Sequence, residues 1–191
     1  MEQPQLILLN GTTSAGKSSI IQCLHQKLQS PYLAMGLDKF LYMLPDQYMK
    51  QPLWKDVWDH TSAGELGNRL MSGMHYSMLS MINRGNLILA DHVLIEKNWV
   101  SELADLFHNQ HAYFIGIHCP LEILEQRELG RKDRTLGSAK AQYSIVHQWT
   151  HYDLTIDSSL STPEQSADKI LEFLASGKAP VGFIKTREQL R

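Results

Sequence analysis

The stretch Gly11-Thr12-Thr13-Ser14-Ala15-Gly16-Lys17-Ser18 fits G-x-x-x-x-G-K-[ST] and follows directly on the apolar run Leu6-Ile7-Leu8-Leu9. A phosphate-binding loop of this kind works only between a buried strand and the start of a helix, so no other segment constrains the fold as much. Both flanks conform. Residues 6–9 read as a strand, and residues 18–28 read as a helix with Ile20, Ile21, Leu24 and Leu28 on one side. The glycines let the backbone curl until successive N–H groups converge on phosphate oxygens, and the helix N-terminus adds partial positive charge. Gly11, Thr12, Thr13, Ser14, Ala15, Gly16, Lys17, Ser18 and Ser19 are therefore the expected nucleotide contacts. Lys17 is expected to reach the β- and γ-phosphates of ATP, and the Ser18 hydroxyl to ligate Mg²⁺. A Gly/Ser-rich turn matching by chance would lack this context.

The remainder of the chain repeats the alternation that the loop begins. Short apolar runs at 31–37, 87–90, 113–119 and 154–157 read as further strands. Helical periodicity fills 64–84, 98–107, 120–129, 139–149 and 162–174, and one or two helical turns at 39–44 stop before Pro45. Strands separated by helices predict an α/β fold, a parallel five-stranded sheet with helices on both faces, and a single domain over 1–191. Residues 45–63 read as irregular and rich in aromatic side chains, and the tail from 176 shows no periodicity. Ligands in such sheets bind at the carboxyl ends of the strands, where the loop, Asp38 and Asp91 all fall.

Composition narrows the partners. A formal net charge of −2 over 191 residues argues against a nucleic-acid binder, which would carry a basic face, and favours small diffusible ligands. No apolar run approaches the roughly 20 residues that span a bilayer, so no membrane partner is expected. Cys23 and Cys119 fall in segments that read as core and are expected as buried thiols rather than a disulfide, which places the protein in the cytoplasm. Amphipathic faces serve a core and an interface equally, so a homo-oligomer is permitted and not required.

Several side chains carry chemistry. Asp91 ends an apolar strand, the position from which a carboxylate holds Mg²⁺ beside a phosphate loop, although a carboxylate there can also cap the following turn. Asp38 has the position of a group that orients and deprotonates an acceptor hydroxyl, and Asp is equally a helix cap for 39–44. Arg131 and Arg134 lie in a glycine-bounded loop at about 130–137 and read as a lid that closes on phosphoryl oxygens. Arg127 joins them, packs on a base, or pairs with Glu125 or Glu128. His147 and His151 have a zinc-like spacing without an evident third ligand. Met71, Met74 and Met78 read as core, while Phe40, Tyr42, Trp54 and Trp58 suggest an apolar acceptor pocket in the insertion at about 39–63.

Four segments together resemble the chloramphenicol phosphotransferase-like proteins. They are residues 7–19, Gly36-Leu37-Asp38, the arginine loop from Arg127-Glu128 to Gly137, and Val146-His147 followed by Tyr152-Asp153 and Asp157. The likeness runs from about residue 5 to residue 175. It implies a nucleotide-monophosphate-kinase-like phosphate-loop fold with a short arginine lid. It also implies an ATP- and Mg²⁺-dependent enzyme that phosphorylates a hydroxyl of a small molecule. On that pattern Asp38 matches the catalytic base, Lys17 and Ser18 the phosphate and magnesium residues, and Arg131 and Arg134 the lid. The chain has Asp91-His92 where the family pattern has paired aspartates, and 45–63 matches poorly.

A chloramphenicol-like acceptor is therefore the expectation. A kinase of a nucleotide or a shikimate-like metabolite is the first alternative. Lys39, Lys50 and Lys55 are few cations to grip an anionic acceptor, with Arg69 and Arg84 on the long helix in reserve. An ATP-binding regulatory switch without an acceptor is the second, and it would bind nucleotide with no acceptor-dependent turnover.

Overall fold

The computed structural model describes residues 3–130 and 136–191. Its centre is a five-stranded parallel sheet in the order β2-β3-β1-β4-β5. The strands are β1 (Leu6–Asn10), β2 (Tyr32–Gly36), β3 (Leu87–His92), β4 (Ala112–His118) and β5 (Leu154–Asp157). Every residue of β1 is buried, as expected of a strand covered on both faces. Leu6 and Leu8 turn to one face with Ile88, Ala90 and Phe114, while Ile7 and Leu9 turn to the other with Leu89, Ile115 and Ile117. Register aligns the carboxyl ends: Leu9 lies opposite Asp91, Gly36 opposite Asp91, and Asn10 opposite His92 and Gly116.

The helices follow the sequence pattern with three informative departures. They are α1 (Lys17–Lys27), α2 (Leu37–Leu41), α3 (Trp54–Val57), α4 (Glu65–Ile82), α5 (Lys97–Phe107), α6 (Leu121–Leu129), α7 (Ser138–Tyr143), α8 (Pro163–Ala175) and α9 (Gly182–Leu190). Met71, Met74 and Met78 on α4 are fully buried beneath the sheet, in the core. Thr162 and Gln165 form a reciprocal capping box at the start of α8.

The first departure is α7, whose periodicity predicts a helix to residue 149. It stops at Tyr143, because the Val146 carbonyl is drawn off to Asn10 Nδ2 at 2.7 Å and Trp149 turns left-handed at φ 59°. The second is the tail, where α9 stands in place of the expected irregular chain. Asp153 Oδ1 accepts the N–H groups of Val181 and Gly182 at 2.6 and 2.8 Å, capping the helix from a distant segment. Phe183 then stacks on Phe114, centroids 4.7 Å apart. The third is Cys23, which is only half-buried, with its thiol toward Glu164, whereas Cys119 is buried; both are free thiols. Among the described residues no helix is long and apolar enough to cross a membrane.

Candidate active site

The loop between β1 and α1 is curled by two left-handed residues, Ser14 at φ 61° and Gly16 at φ 88°. Gly11 makes a further demand, since a Cβ there would collide with the carbonyl of Ile117 on β4. Lys17 lies folded into the concavity, its Nζ donating to the carbonyls of Gly11 and Thr12 at 2.8 Å each. Ser14 Oγ is buried, with no hydrogen-bond partner among the described residues. A buried hydroxyl, a folded lysine and a left-handed turn at the start of α1 make a cradle suited to phosphate oxygens.

Asp91 and Val93 join Thr13, Lys17 and Ser18 around a small cavity of about 60 Å³ at the mouth of this loop. Asp91 packs against Gly36, where a Cβ would run into its Oδ1. Ser18 and Asp91 are thus brought to one cavity and supply the hydroxyl and carboxylate that suit a divalent cation beside a phosphate chain.

Behind Asp91 runs a chain of fixed direction. His92 is fully buried and its Nδ1 accepts the Val93 N–H at 2.9 Å, so its proton resides on Nε2. That proton is donated to His75 Nε2 at 3.0 Å, and His75 Nδ1–H donates to Glu102 Oε1 at 2.6 Å. Burial holds both imidazoles below their ordinary pKa, and for His92 the neighbouring His75 deepens the effect. Burial would raise the Glu102 carboxyl, but hydrogen bonds from His75 and Ser72 leave it below its usual range. The chain is therefore a neutral pair of imidazoles ending on a carboxylate.

Asn10, directly before the loop, uses every polar atom of its side chain. Nδ2 donates to Val146 O and to the Tyr152 hydroxyl, each at 2.7 Å, and Oδ1 accepts the Leu94 N–H at 2.9 Å. Having accepted from Asn10, the Tyr152 hydroxyl donates to His147 Nδ1 at 2.7 Å. His147 stacks on His118 with centroids 3.8 Å apart, and burial drives its pKa down to about 3, helped by His118 and Lys17. Among the described residues no group of three His, Cys, Asp or Glu side chains could hold a metal, and His151 is exposed while His147 turns inward.

Three larger cavities flank the loop among the described residues: one of about 390 Å³ beside Thr12, His118 and His147, and two that hold the expected ligand-binding residues. The first of these two, about 380 Å³, lies between Ser14, Gly16, Arg127, Ser158 and Pro163. Arg127 is directed there rather than to Glu125 or Glu128: its guanidinium donates to Ser158 Oγ at 3.1 Å and Ser158 O at 2.8 Å. Glu128 is buried and accepts the N–H groups of Gly137 and Ala139 at 2.7 and 2.9 Å, fixing the start of α7. Arg131 and Arg134, between these two anchors, lie outside the described residues.

The other cavity, about 340 Å³, opens between α2, α3 and α7. Leu41, Tyr42, Met49, Trp54 and Trp58 form its apolar wall, while Thr13 and Val93 border both it and the phosphate cavity. Asp38 is half-buried in the first turn of α2, next to Leu37, which lines this cavity. Phe40 faces elsewhere, toward Leu66 and Leu70 of α4. Sequence reasoning did not single out Gln142, His75 or Ser158, and it took Glu128 only as a candidate partner of Arg127. Their partners are remote in sequence, and the one local hint was the Gly137 boundary of the lid.

Sheet order, loop and flanking cavities define a phosphate-loop kinase fold. Solved structures bear this out. A sugar kinase from Janibacter sp. matches with TM-score 0.66 at 14% identity, covering 92% of this chain and 96% of that one. The APS kinase of Mycobacterium tuberculosis matches with TM-score 0.64 at 13% identity, over 92% and 99%. Shikimate kinase from Acinetobacter baumannii matches with TM-score 0.58 at 14% identity, over 93% and 96%. The profile of the chloramphenicol phosphotransferase-like protein family matches residues 4–175, and the chain belongs to that family. A Mycobacterium tuberculosis protein named "Putative O-phosphotransferase" is 23% identical over 203 residues, 99% of this chain and 90% of the relative. The protein is a small-molecule phosphotransferase.

Proposed function

We propose that this protein transfers the γ-phosphoryl group of ATP to a hydroxyl of an uncharged, largely apolar small molecule of chloramphenicol-like type, in the cytoplasm. The observation that carries this reading is the 340 Å³ cavity. It shares Thr13 and Val93 with the phosphate cavity, and no charged side chain lines it among the described residues. An anionic acceptor such as a nucleotide or a shikimate-like acid would find no cation to pair with among the described residues that line it.

ATP binds with its phosphates in the curl of Gly11–Ser19 and its base in the cavity bordered by Arg127 and Ser158. Ser18 and Asp91 would hold Mg²⁺, which would supply charge neutralisation to the phosphates. Lys17 leaves the Gly11 and Thr12 carbonyls for the phosphate oxygens. Asp38 orients the acceptor hydroxyl and takes its proton as the new O–P bond forms and the bond to the bridging oxygen of ADP breaks. Arg131 and Arg134 close over the transferring group. Mass spectrometry of chloramphenicol and a panel of neutral alcohols, incubated with protein, ATP and Mg²⁺, tests the reading, with Asp38→Ala protein as control. One added phosphoryl group, absent from the control, is expected. ATP binding without any product would exclude a neutral acceptor.

A further inference from the structure

Gln142 is 2% exposed and stands on α7, whose start is fixed by Glu128 just beyond the arginine loop. Its carboxamide receives the backbone N–H of Thr13 at 2.9 Å. A backbone N–H only donates, so the atom facing it is Oε1, and the two hydrogens of Nε2 are directed away from the phosphate loop. No described residue accepts them. Gln142 also lines the apolar acceptor cavity and does not line the phosphate cavity, although Thr13 borders both.

A donor pair at the edge of a cavity that no described charged residue lines, with no acceptor among the described residues, calls for an oxygen on whatever fills that cavity. We propose that Gln142 is an acceptor-binding and specificity-determining residue. Its Oε1 is committed to the phosphate loop, and its Nε2 donates to a carbonyl, nitro, ether or hydroxyl oxygen of the acceptor molecule. This inference rests on the kinase reading above. The same carboxamide then touches the loop that holds the phosphates and the molecule that receives one, so the acceptor is registered against Thr13. A molecule of the same shape lacking that oxygen leaves Nε2 desolvated and unpaired, and a site of this kind rejects such analogues strongly.

The test uses chloramphenicol and three analogues: one without the nitro group, one without the benzylic hydroxyl, and one with a thioamide in place of the amide. Calorimetric affinities are measured on wild-type, Gln142→Met and Gln142→Glu proteins, with ATP affinity alongside. Methionine fills the same volume without hydrogen bonds, and glutamate keeps an oxygen for Thr13 N–H while losing the donor. On wild-type protein one analogue is expected to bind about tenfold more weakly than the parent, the worth of one buried hydrogen bond. On both variants that contrast disappears, while Gln142→Met loses several-fold less affinity for ATP than for chloramphenicol. A contrast that survives in the variants overturns the assignment. So does a parallel loss of ATP and chloramphenicol affinity in Gln142→Met, because Gln142 would then serve the phosphate loop alone. A wild-type protein that phosphorylates a panel alcohol without any such contrast defeats this inference and leaves the kinase reading standing, whereas one that phosphorylates none defeats both.

Discussion

The hydroxyl of Tyr152 lies 2.7 Å from the carboxamide nitrogen of Asn10, joining the residue that opens the phosphate loop to the segment leading into β5. Asn10 is fully buried and satisfies three groups at once: Val146 O, the Tyr152 hydroxyl and Leu94 N–H. Replacing it with alanine leaves Val146 O and Leu94 N–H without that partner and takes from the Tyr152 hydroxyl one of its two bonds. Asn10→Ala is expected to lower stability by about 2–4 kcal/mol, and Tyr152→Phe by about 1–2 kcal/mol. Because the two side chains share a bond, the double variant should lose less than the sum. Urea unfolding of the three proteins measures this, and strict additivity would show that the bond contributes nothing.

Gly36 allows the Asp91 carboxylate its place. The backbone at Gly36 is extended, φ −103° and ψ 153°, which alanine adopts freely, so Gly36→Ala acts through the clash with Asp91 Oδ1 and not through strain. Displacing a metal-holding carboxylate by its supporting neighbour typically costs 10–100-fold in metal affinity. Gly36→Ala should accordingly raise the Mg²⁺ concentration for half-maximal activity by about tenfold at saturating ATP. An unchanged Mg²⁺ requirement would remove Asp91 from the metal site.

Asp38 and Lys17 should fail in different ways. Loss of a general base costs about 10²–10⁴ in turnover, so Asp38→Asn is expected to fall in kcat over that range while ATP affinity stays within about twofold. Lys17→Ala removes a phosphate contact and should weaken ATP binding and turnover together. Equilibrium binding and steady-state kinetics separate the two, and an Asp38→Asn protein of normal turnover would exclude the base.

The phosphate loop was legible because its evidence is local: an apolar strand, the glycine spacing and an amphipathic helix occupy consecutive residues. Asp91 was legible for a related reason, since an acid ending an apolar strand points to the ligand edge of a parallel sheet. Asn10 with Tyr152, Thr13 with Gln142, and Asp153 with the start of α9 are joined across folded space, and no periodicity announces them. The tail illustrates the cost. Its mixed composition hides that Phe183 stacks on Phe114 and that the half-buried Asp153 carboxylate caps the helix. Trp54 and Trp58, expected in an apolar pocket, line a cavity, because aromatic side chains in a long insertion have few other ways to leave water.

His147 makes the fold sensitive to acid in a definite window. Its pKa lies at about 3 in the folded protein, from burial first and then from His118 and Lys17, against about 6.5 in an unfolded chain. Above pH 6.5 the imidazole is neutral in both states and contributes no pH dependence. As the pH falls below 6.5 the unfolded chain takes up the proton and the folded protein does not, so stability declines down to pH 3. The slope from this one group approaches about 1.4 kcal/mol per pH unit in the middle of that window. His147→Asn keeps an oxygen near the Nδ1 position to accept from Tyr152 and removes the titration. Urea unfolding at intervals from pH 7 to pH 4 should therefore give a flatter profile for His147→Asn than for wild type. Coincident slopes would mean that the His147 imidazole takes up its proton in the folded protein as readily as in the unfolded chain.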